Sequence, residues 1–448
     1  MKRNIITAVI IVVVYIAVSL RRAKADNVFP KKYHHSTRFQ KLQTIRIIKS
    51  PNLFSHSNRC DGFGILKRSI SCDFDPDDYL DVPQIIRRHG YPSESHVIES
   101  EDGYLTKVHR IPGTKQGNTG GQPIFLQHGL LGSSIDWIVN DGNNALAFLL
   151  ADQGYDVWMG NSRGNTYARG HVSLNVNTVQ FWNFSWHEMG TKDLPAILYH
   201  ISNITKKPGE IIYIGHSMGT TMAFVFSSVL PEMAKNLKLI VAMAPTAYMT
   251  HAQSPIKYLA PFANDVNWVL KNLGVKIFLP NSKVLRFLSY GCTKKYTKKI
   301  CDTLVFALAG FDGSEFNTAL LPKLLSHDPA GTSTKTPLHY AQEIQNEGNF
   351  QQFDYGLEGN MRQYGTPNPP QYDLKKIKVP MHLIYAENDK LTSYIDVERL
   401  SEVLPNVVGM VKVPSKKFSH GDFVFGKNVY ELVYEPLMRV LSNYTMKN

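Results

Sequence analysis

Three side chains whose types suit nucleophilic acyl transfer occur along this 448-residue sequence in the order serine, carboxylate, histidine. The serine is Ser217, in the run IIYIGHSMGTT at 211–221, which fits G-x-S-x-G. The apolar, β-branched residues 211–214 read as a strand, and the small apolar stretch from Met218 to Val229 reads as a buried helix. A serine on a sharp strand-to-helix turn projects its hydroxyl into a pocket. The glycines at 215 and 219 suit the unusual backbone angles and the absence of bulky neighbours that such a turn needs.

A hydroxyl is a poor nucleophile alone, so a base and an orienting carboxylate are expected downstream. In VPMHLIYAENDKL, at 379–391, an apolar strand breaks into acids at its carboxyl end. Asp389 is the chosen carboxylate because it clears the strand, with Glu387 as its rival. After the strand-like VVGMVKV comes KKFSHGDF, whose His420 follows the final strand and precedes the last helix. It is one of 16 histidines, selected by that position, where a base reaches a serine at the sheet's edge. His216, next to the serine, is expected to point away and serve packing or support. The charge developing on a carbonyl oxygen needs two backbone donors, each worth roughly 3 kcal/mol in the transition state. One is the Met218 N–H at the helix mouth. The other is the Leu130 N–H, in the HGLLGSS loop that follows the strand PIFLQ.

The elements around these residues form a longer pattern: YPSESHVIESEDGYLTKVHRIP at 91–112, FLQHGLLGSS at 125–134, GNSRGNTYARGH at 160–171, FWNFSWHEMGTKDLPA at 181–196, GHSMGTT, and SHDPAGTS at 326–333. From about 80 to 440 the chain resembles the acid lipases that include gastric and lysosomal lipase, within the α/β-hydrolase fold. The resemblance places that family's nucleophile, acid and base on Ser217, Asp389 and His420, and its oxyanion donors on Leu130 and Met218. It implies a mostly parallel central sheet flanked by helices, with a largely helical cap and lid inserted before the acid-bearing strand. Many members carry Gln after the serine. Met218 keeps the backbone donor but not the Gln side chain's hydrogen bond.

Length and a 43% hydrophobic content allow a large core plus a second element. The expected division is residues 1–25 as a signal, 26–75 as a basic arm, 76–245 with 379–448 as the hydrolase core, and 246–378 as cap and lid. Residues 255–310 are too rich in aromatic and aliphatic side chains for a solvent-facing linker. They read as cap core, and the resemblance makes part of them a movable lid meeting a lipid interface. EDG at 101–103 reads as a hairpin turn, YDVWMGNSRG as a strand running into a loop, SWHEMGTKDLPAILYHI as an amphipathic helix, and 428–443 as a closing helix.

The formal charge of +12 is unevenly placed. Residues 21–68 carry twelve Lys or Arg against Asp26 and Asp61, and Lys2 and Arg3 precede them, so the chain from 69 onward is neutral. Nucleic-acid binding by the catalytic part is therefore not expected. The arm reads as a flexible tail or propeptide, or as a tether to anionic lipid or glycan. Lys67-Arg68 is a dibasic processing candidate.

Lys2 and Arg3 followed by the apolar residues 5–20, with Ala23-Lys24-Ala25 as a cleavage site, form a secretory signal. The run falls short of the about 20 residues of a stable bilayer span, although Arg21 and Arg22 would suit a retained anchor. Entry to the secretory route points to an extracellular or lysosomal destination. It also makes the four cysteines candidates for bridges, for which sequence alone allows three pairings. The resemblance implies Cys292 with Cys301, leaving Cys60 with Cys72. Asn183, Asn203 and Asn443 head glycosylation sequons, Asn183 within an aromatic run that could bury it. No zinc-type cysteine or histidine spacing is present, and neither metal nor cofactor is expected.

The expected chemistry is serine lipase hydrolysis of neutral lipid esters, triacylglycerols or sterol esters, at a lipid–water interface through an acyl-enzyme. The alternatives are a carboxylesterase of other substrates on the same fold, or a lipid-binding protein without chemistry.

Overall fold

Near-continuous apolar runs build the middle of the sheet. The computed structural model describes residues 75–140, 142–253, 276–279, 314–346 and 348–445. Among them lie β1 (Glu94–Glu99), β2 (Tyr104–Ile111), β3 (Pro123–Gln127), β4 (Asp156–Met159), the short β5 (Gly170–His171), β6 (Ile211–His216), β7 (Leu237–Met243), the short pair β8 (Ile277–Phe278) and β9 (Thr332–Ser333), β10 (Met381–Tyr385) and β11 (Val407–Lys412). The main sheet runs β1-β2-β4-β3-β6-β7-β10-β11, with β5 beside β2. From β4 to β11 every pairing is parallel, whereas those of β2 with β1, β4 and β5 are antiparallel. Every residue of β3, β4, β6 and β10 is buried, as parallel strands covered on both faces require.

Two apolar layers cover the sheet. On one face α1 (Val82–Arg88), α2 (Leu146–Asp152) and the C-terminal helix pack with Ile124, Leu126, Ile212 and Val241. On the other, α3 (Leu194–Thr205) and α4 (Met218–Val229) pack with Phe125, Tyr213 and Ile240. Between Trp186–Glu188 and α3 the chain makes a π-turn at Met189–Asp193, so the expected single helix bulges. Here Gly190 lies against α4, where a Cβ would stand 2.9 Å from the Met222 carbonyl oxygen. The C-terminal segment likewise combines a π-turn, Tyr430–Tyr434, with the helix Glu435–Ser442.

Three quoted motifs meet at the buried Arg163. Its guanidinium donates to Asp102 in the EDG turn at 2.7 Å and to Asp193 in the π-turn at 2.6 Å, and it lies over the Tyr104 ring. Between β7 and β10 the described residues form α5 (Leu321–His327), α6 (Lys335–Gln345) and α7 (Leu357–Tyr364), and α8 (Tyr394–Val403) follows β10. Apart from 276–279, the apolar stretch 255–310 lies outside the described residues, as do Cys60, Cys72, Cys292, Cys301 and residues 1–74.

Candidate active site

Ser217 sits between β6 and α4 with φ 53° and ψ −118°, in the half of backbone space that favours glycine. Such a residue carries strain of about 1–3 kcal/mol and persists only where its surroundings fix it. Here they do: its N–H donates to the Met243 carbonyl at 3.0 Å, and its own carbonyl accepts the Thr220 N–H at 2.8 Å. The unusual angle falls on the serine itself and not on Gly215 or Gly219, neither of which has positive φ. Those glycines serve close approach instead. A Cβ on Gly215 would stand 2.8 Å from the Gly219 carbonyl carbon, and one on Gly219 would stand 2.3 Å from the Gln127 carbonyl oxygen.

The loop after β11 brings His420 across the sheet edge. Its Nε2 lies 2.8 Å from Ser217 Oγ, and its Nδ1 lies 2.8 Å from Asp389 Oδ2. All three residues are buried. An imidazole protonated on Nδ1 donates to the carboxylate and leaves Nε2 to accept the serine hydroxyl proton. The loop is braced by Asp422, whose Oδ2 accepts the Ser419 N–H at 2.8 Å. Glu387 is elsewhere, half-exposed and paired with Lys412 at 3.2 Å.

Asp389 is further fixed by Leu391 and Thr392, whose N–H groups donate to Oδ1 at 2.9 and 2.8 Å, while the Thr392 hydroxyl donates to Oδ2. Burial pushes this carboxyl's pKa up, but the His420 imidazole and the hydrogen bonds from His420 and Thr392 outweigh it and hold the pKa below the ordinary value. The sequence reading overlooked Thr392. Its signal was the spacing in Asp389-Lys-Leu-Thr392, in which an Asp side chain caps the N–H groups two and three residues on.

His216 gives the support expected of it but departs from expectation in direction. It does not point away: its Nε2 donates to the His420 carbonyl at 3.0 Å, and the two rings lie 5.1 Å apart. Strand alternation alone did not foretell this contact.

The Leu130 loop passes beside the serine. A Cβ on Gly129 would stand 3.2 Å from both Ser217 Cβ and His216 Nδ1. Gly132 closes a turn by donating its N–H to the Gly129 carbonyl at 3.3 Å, with Leu131 at φ 66°. Residues of GNSRGN brace this loop from behind. Asn161 Oδ1 accepts the Ser134 N–H at 3.0 Å, and His128 Nε2 accepts the Ser162 N–H at 3.0 Å. Met218 heads α4, where an N–H has no helical carbonyl to bond and the helix dipole favours anions. Its side chain is buried in the apolar layer with Met222 and Phe224.

The three sequon asparagines, Asn183, Asn203 and Asn443, are exposed, including the one in the aromatic run. Among the described residues no His, Cys, Asp or Glu cluster is placed to hold a metal ion, and no helix is long and apolar enough to cross a membrane.

A serine on a strand-to-helix turn, an imidazole against it and a parallel sheet beneath define an α/β-hydrolase. Sequence comparison agrees: residues 122–278 match the family model described as "alpha/beta hydrolase fold", and 82–141 match "Partial alpha/beta-hydrolase lipase region". Lipase member K of Homo sapiens is 39% identical over 376 residues, covering 82% of this chain and 92% of that protein. Human gastric triacylglycerol lipase is 38% identical over 379 residues, with the same coverages. Human lysosomal acid lipase/cholesteryl ester hydrolase is 37% identical over 376 residues, covering 83% of this chain and 92% of that protein. The chain belongs to this family of lipases, the acid lipases of the gastric and lysosomal type.

Proposed function

We propose that this protein is a serine lipase that hydrolyses carboxylic esters of neutral lipids through an acyl-enzyme. The observation that carries the reading is the unbroken hydrogen-bonded line from Asp389 through His420 to Ser217. His420 Nε2 removes the Ser217 proton as Oγ attacks the ester carbonyl, and Asp389 holds the imidazole in the tautomer that can do so. The N–H groups of Leu130 and Met218 take the negative charge on the former carbonyl oxygen. His420 then protonates the departing alcohol, activates a water in turn, and the fatty acid leaves with Ser217 restored.

The names of the relatives support triacylglycerols or sterol esters as substrates. Residues 1–25 act as the secretory signal and 246–378 as cap and lid, and the exposed sequons carry glycans in an extracellular or lysosomal setting. Fatty-acid release from emulsified triacylglycerol and cholesteryl ester, set against a soluble short-chain ester, tests the reading. Both emulsions should be cleaved in a Ser217-dependent manner, and Ser217→Ala should abolish turnover, a loss on the order of 10⁶-fold. Hydrolysis of the soluble ester alone would point to a carboxylesterase, and an undiminished Ser217→Ala would remove the mechanism.

A further inference from the structure

Behind the Leu130 loop two carboxyl groups face each other out of water. Asp136 lies in the turn Ser134–Trp137 and is buried. Asp328 precedes Pro329 in SHDPAGTS, and its Oδ1 is hidden from solvent with no hydrogen-bond partner. The two side chains are within hydrogen-bonding reach of each other. Charged and titratable groups on the surrounding elements are engaged elsewhere. Arg169 donates to the carbonyls of Gly164 and Ala330, and His327 bonds the Asp77 carbonyl. His109 Nδ1 meets Ser134 Oγ, and His128 accepts the Ser162 N–H. With no cation beside them among the described residues, two bare carboxylates at contact in a low-dielectric site would repel strongly, so a proton belongs between them.

We propose that Asp136 and Asp328 share one proton, and that this carboxyl–carboxylate bond is a positioning device for the loop that presents the Leu130 N–H. The inference rests on the reading of Leu130 as an oxyanion donor. The pair grips that loop at two points. Asp136 Oδ1 accepts the Ser133 N–H at 3.3 Å, and its Oδ2 fills the space above Gly132, where a Cβ would stand 2.1 Å away. Two residues beyond Asp328, the Ala330 N–H donates to the Leu131 carbonyl at 2.7 Å. Separation of the carboxyl groups would therefore pull on both the apex and the end of the turn.

The direction of the acidities agrees. Burial, and then the charge of Asp136, push the Asp328 carboxyl well up, while burial raises Asp136 to about 6 against the bonds from Asp328 and the Ser133 N–H. An acid whose pKa is raised by folding contributes fully below its unfolded value, here 3.8, and loses that contribution as pH rises through its folded value, which for both carboxyls lies higher. The donor loop is thus firm in acid and loosens when the shared proton leaves. In a triad hydrolase the base limits the acid side of the pH profile, so an alkaline fall in kcat has a separate origin.

The test compares wild type, Asp328→Asn and Asp136→Asn on a soluble p-nitrophenyl ester over about pH 4 to 9, with Ser217→Ala as the blank. Wild type should lose roughly tenfold or more in kcat on the alkaline side with little change in KM, because a displaced oxyanion donor acts on the transition state. In either amide variant an N–H replaces the shared proton and does not titrate, so that fall should move up by about one pH unit or more. Alkaline limbs that superimpose on wild type would overturn the proposal. So would failure of both variants to fold, since an amide keeps the hydrogen bond. Turnover no greater than the blank would instead sink the hydrolase reading, and this proposal with it.

Discussion

Nε2 of His216 donates to the carbonyl oxygen of His420 at 3.0 Å, joining the residue before the nucleophile to the backbone of the proposed base. Burial, followed by the neighbouring His420, lowers the His216 pKa to about 3, so the ring stays neutral and keeps that N–H over the working range. His216→Phe preserves the ring's bulk and removes the bond. A hydrogen bond of about 1 kcal/mol net corresponds to about a fivefold drop in kcat, with KM little changed. Steady-state kinetics on a soluble ester checks this, and a kcat equal to wild type would show that the bond does not position the base.

The supports of Asp389 should rank below Asp389 itself. Asp389→Asn leaves the shape of the site but favours the wrong imidazole tautomer, and a loss of about 10⁴ in kcat is expected. Thr392→Val removes one hydroxyl donor while the Thr392 and Leu391 N–H groups remain on Oδ1. A loss of about tenfold is expected, consistent with a charge-assisted bond of about 1.5–3 kcal/mol that is partly replaced by its neighbours. Equal losses in the two variants would mean that the carboxylate's orientation, and not its charge, dominates.

That Ser217, Asp389 and His420 would meet was legible because each follows a strand whose apolar run is unmistakable, and the parallel sheet brings those carboxyl ends to one edge. The choice between Asp389 and Glu387 could not be closed from spacing, since both follow β10. Only the fold shows Glu387 turned to Lys412. The direction of His216, the bracing by Asn161 and the facing of Asp136 on Asp328 depend on loops far apart in sequence. No local pattern encodes them. The π-turn at Met189–Asp193 was hidden for a related reason, because its cause is the approach of Gly190 to another helix.

Gly219 supplies a test of the turn's packing. A Cβ there would stand 2.3 Å from the Gln127 carbonyl oxygen, which is backbone in the neighbouring central strand and cannot rotate aside. Gly219→Ala should therefore cost about 1–3 kcal/mol of stability, as overpacking does, despite the better helix propensity of alanine. Because Gly219 also follows the serine by two residues, kcat should fall as well. Denaturant unfolding beside kinetics checks both, and a variant as stable as wild type would show that β3 and α4 can separate freely.

His109 makes stability depend on pH in the direction opposite to the carboxyl pair. It is fully buried on β2, its Nδ1 meets Ser134 Oγ at 2.7 Å, and its Nε2 has no hydrogen-bond partner. Burial, with a smaller part from Lys107, lowers its pKa to about 3. In the unfolded chain the imidazole protonates near 6.5. Above that pH the residue has no pH-dependent effect. As pH falls from there toward the folded value, the unfolded state gains a proton that the native state refuses, and stability drops by about 1.4 kcal/mol per pH unit. At a pH of about 4.5 that amounts to roughly 2–3 kcal/mol. His109→Phe keeps a ring against Tyr167 and gives up the Ser134 bond, costing about 1 kcal/mol at neutral pH. Since the variant escapes the proton penalty, the stability gap between it and wild type should close or reverse in acid. Urea midpoints at about pH 7.5 and 4.5 read this directly. An equal gap at both would mean that His109 takes up a proton in the native state as readily as in the unfolded chain.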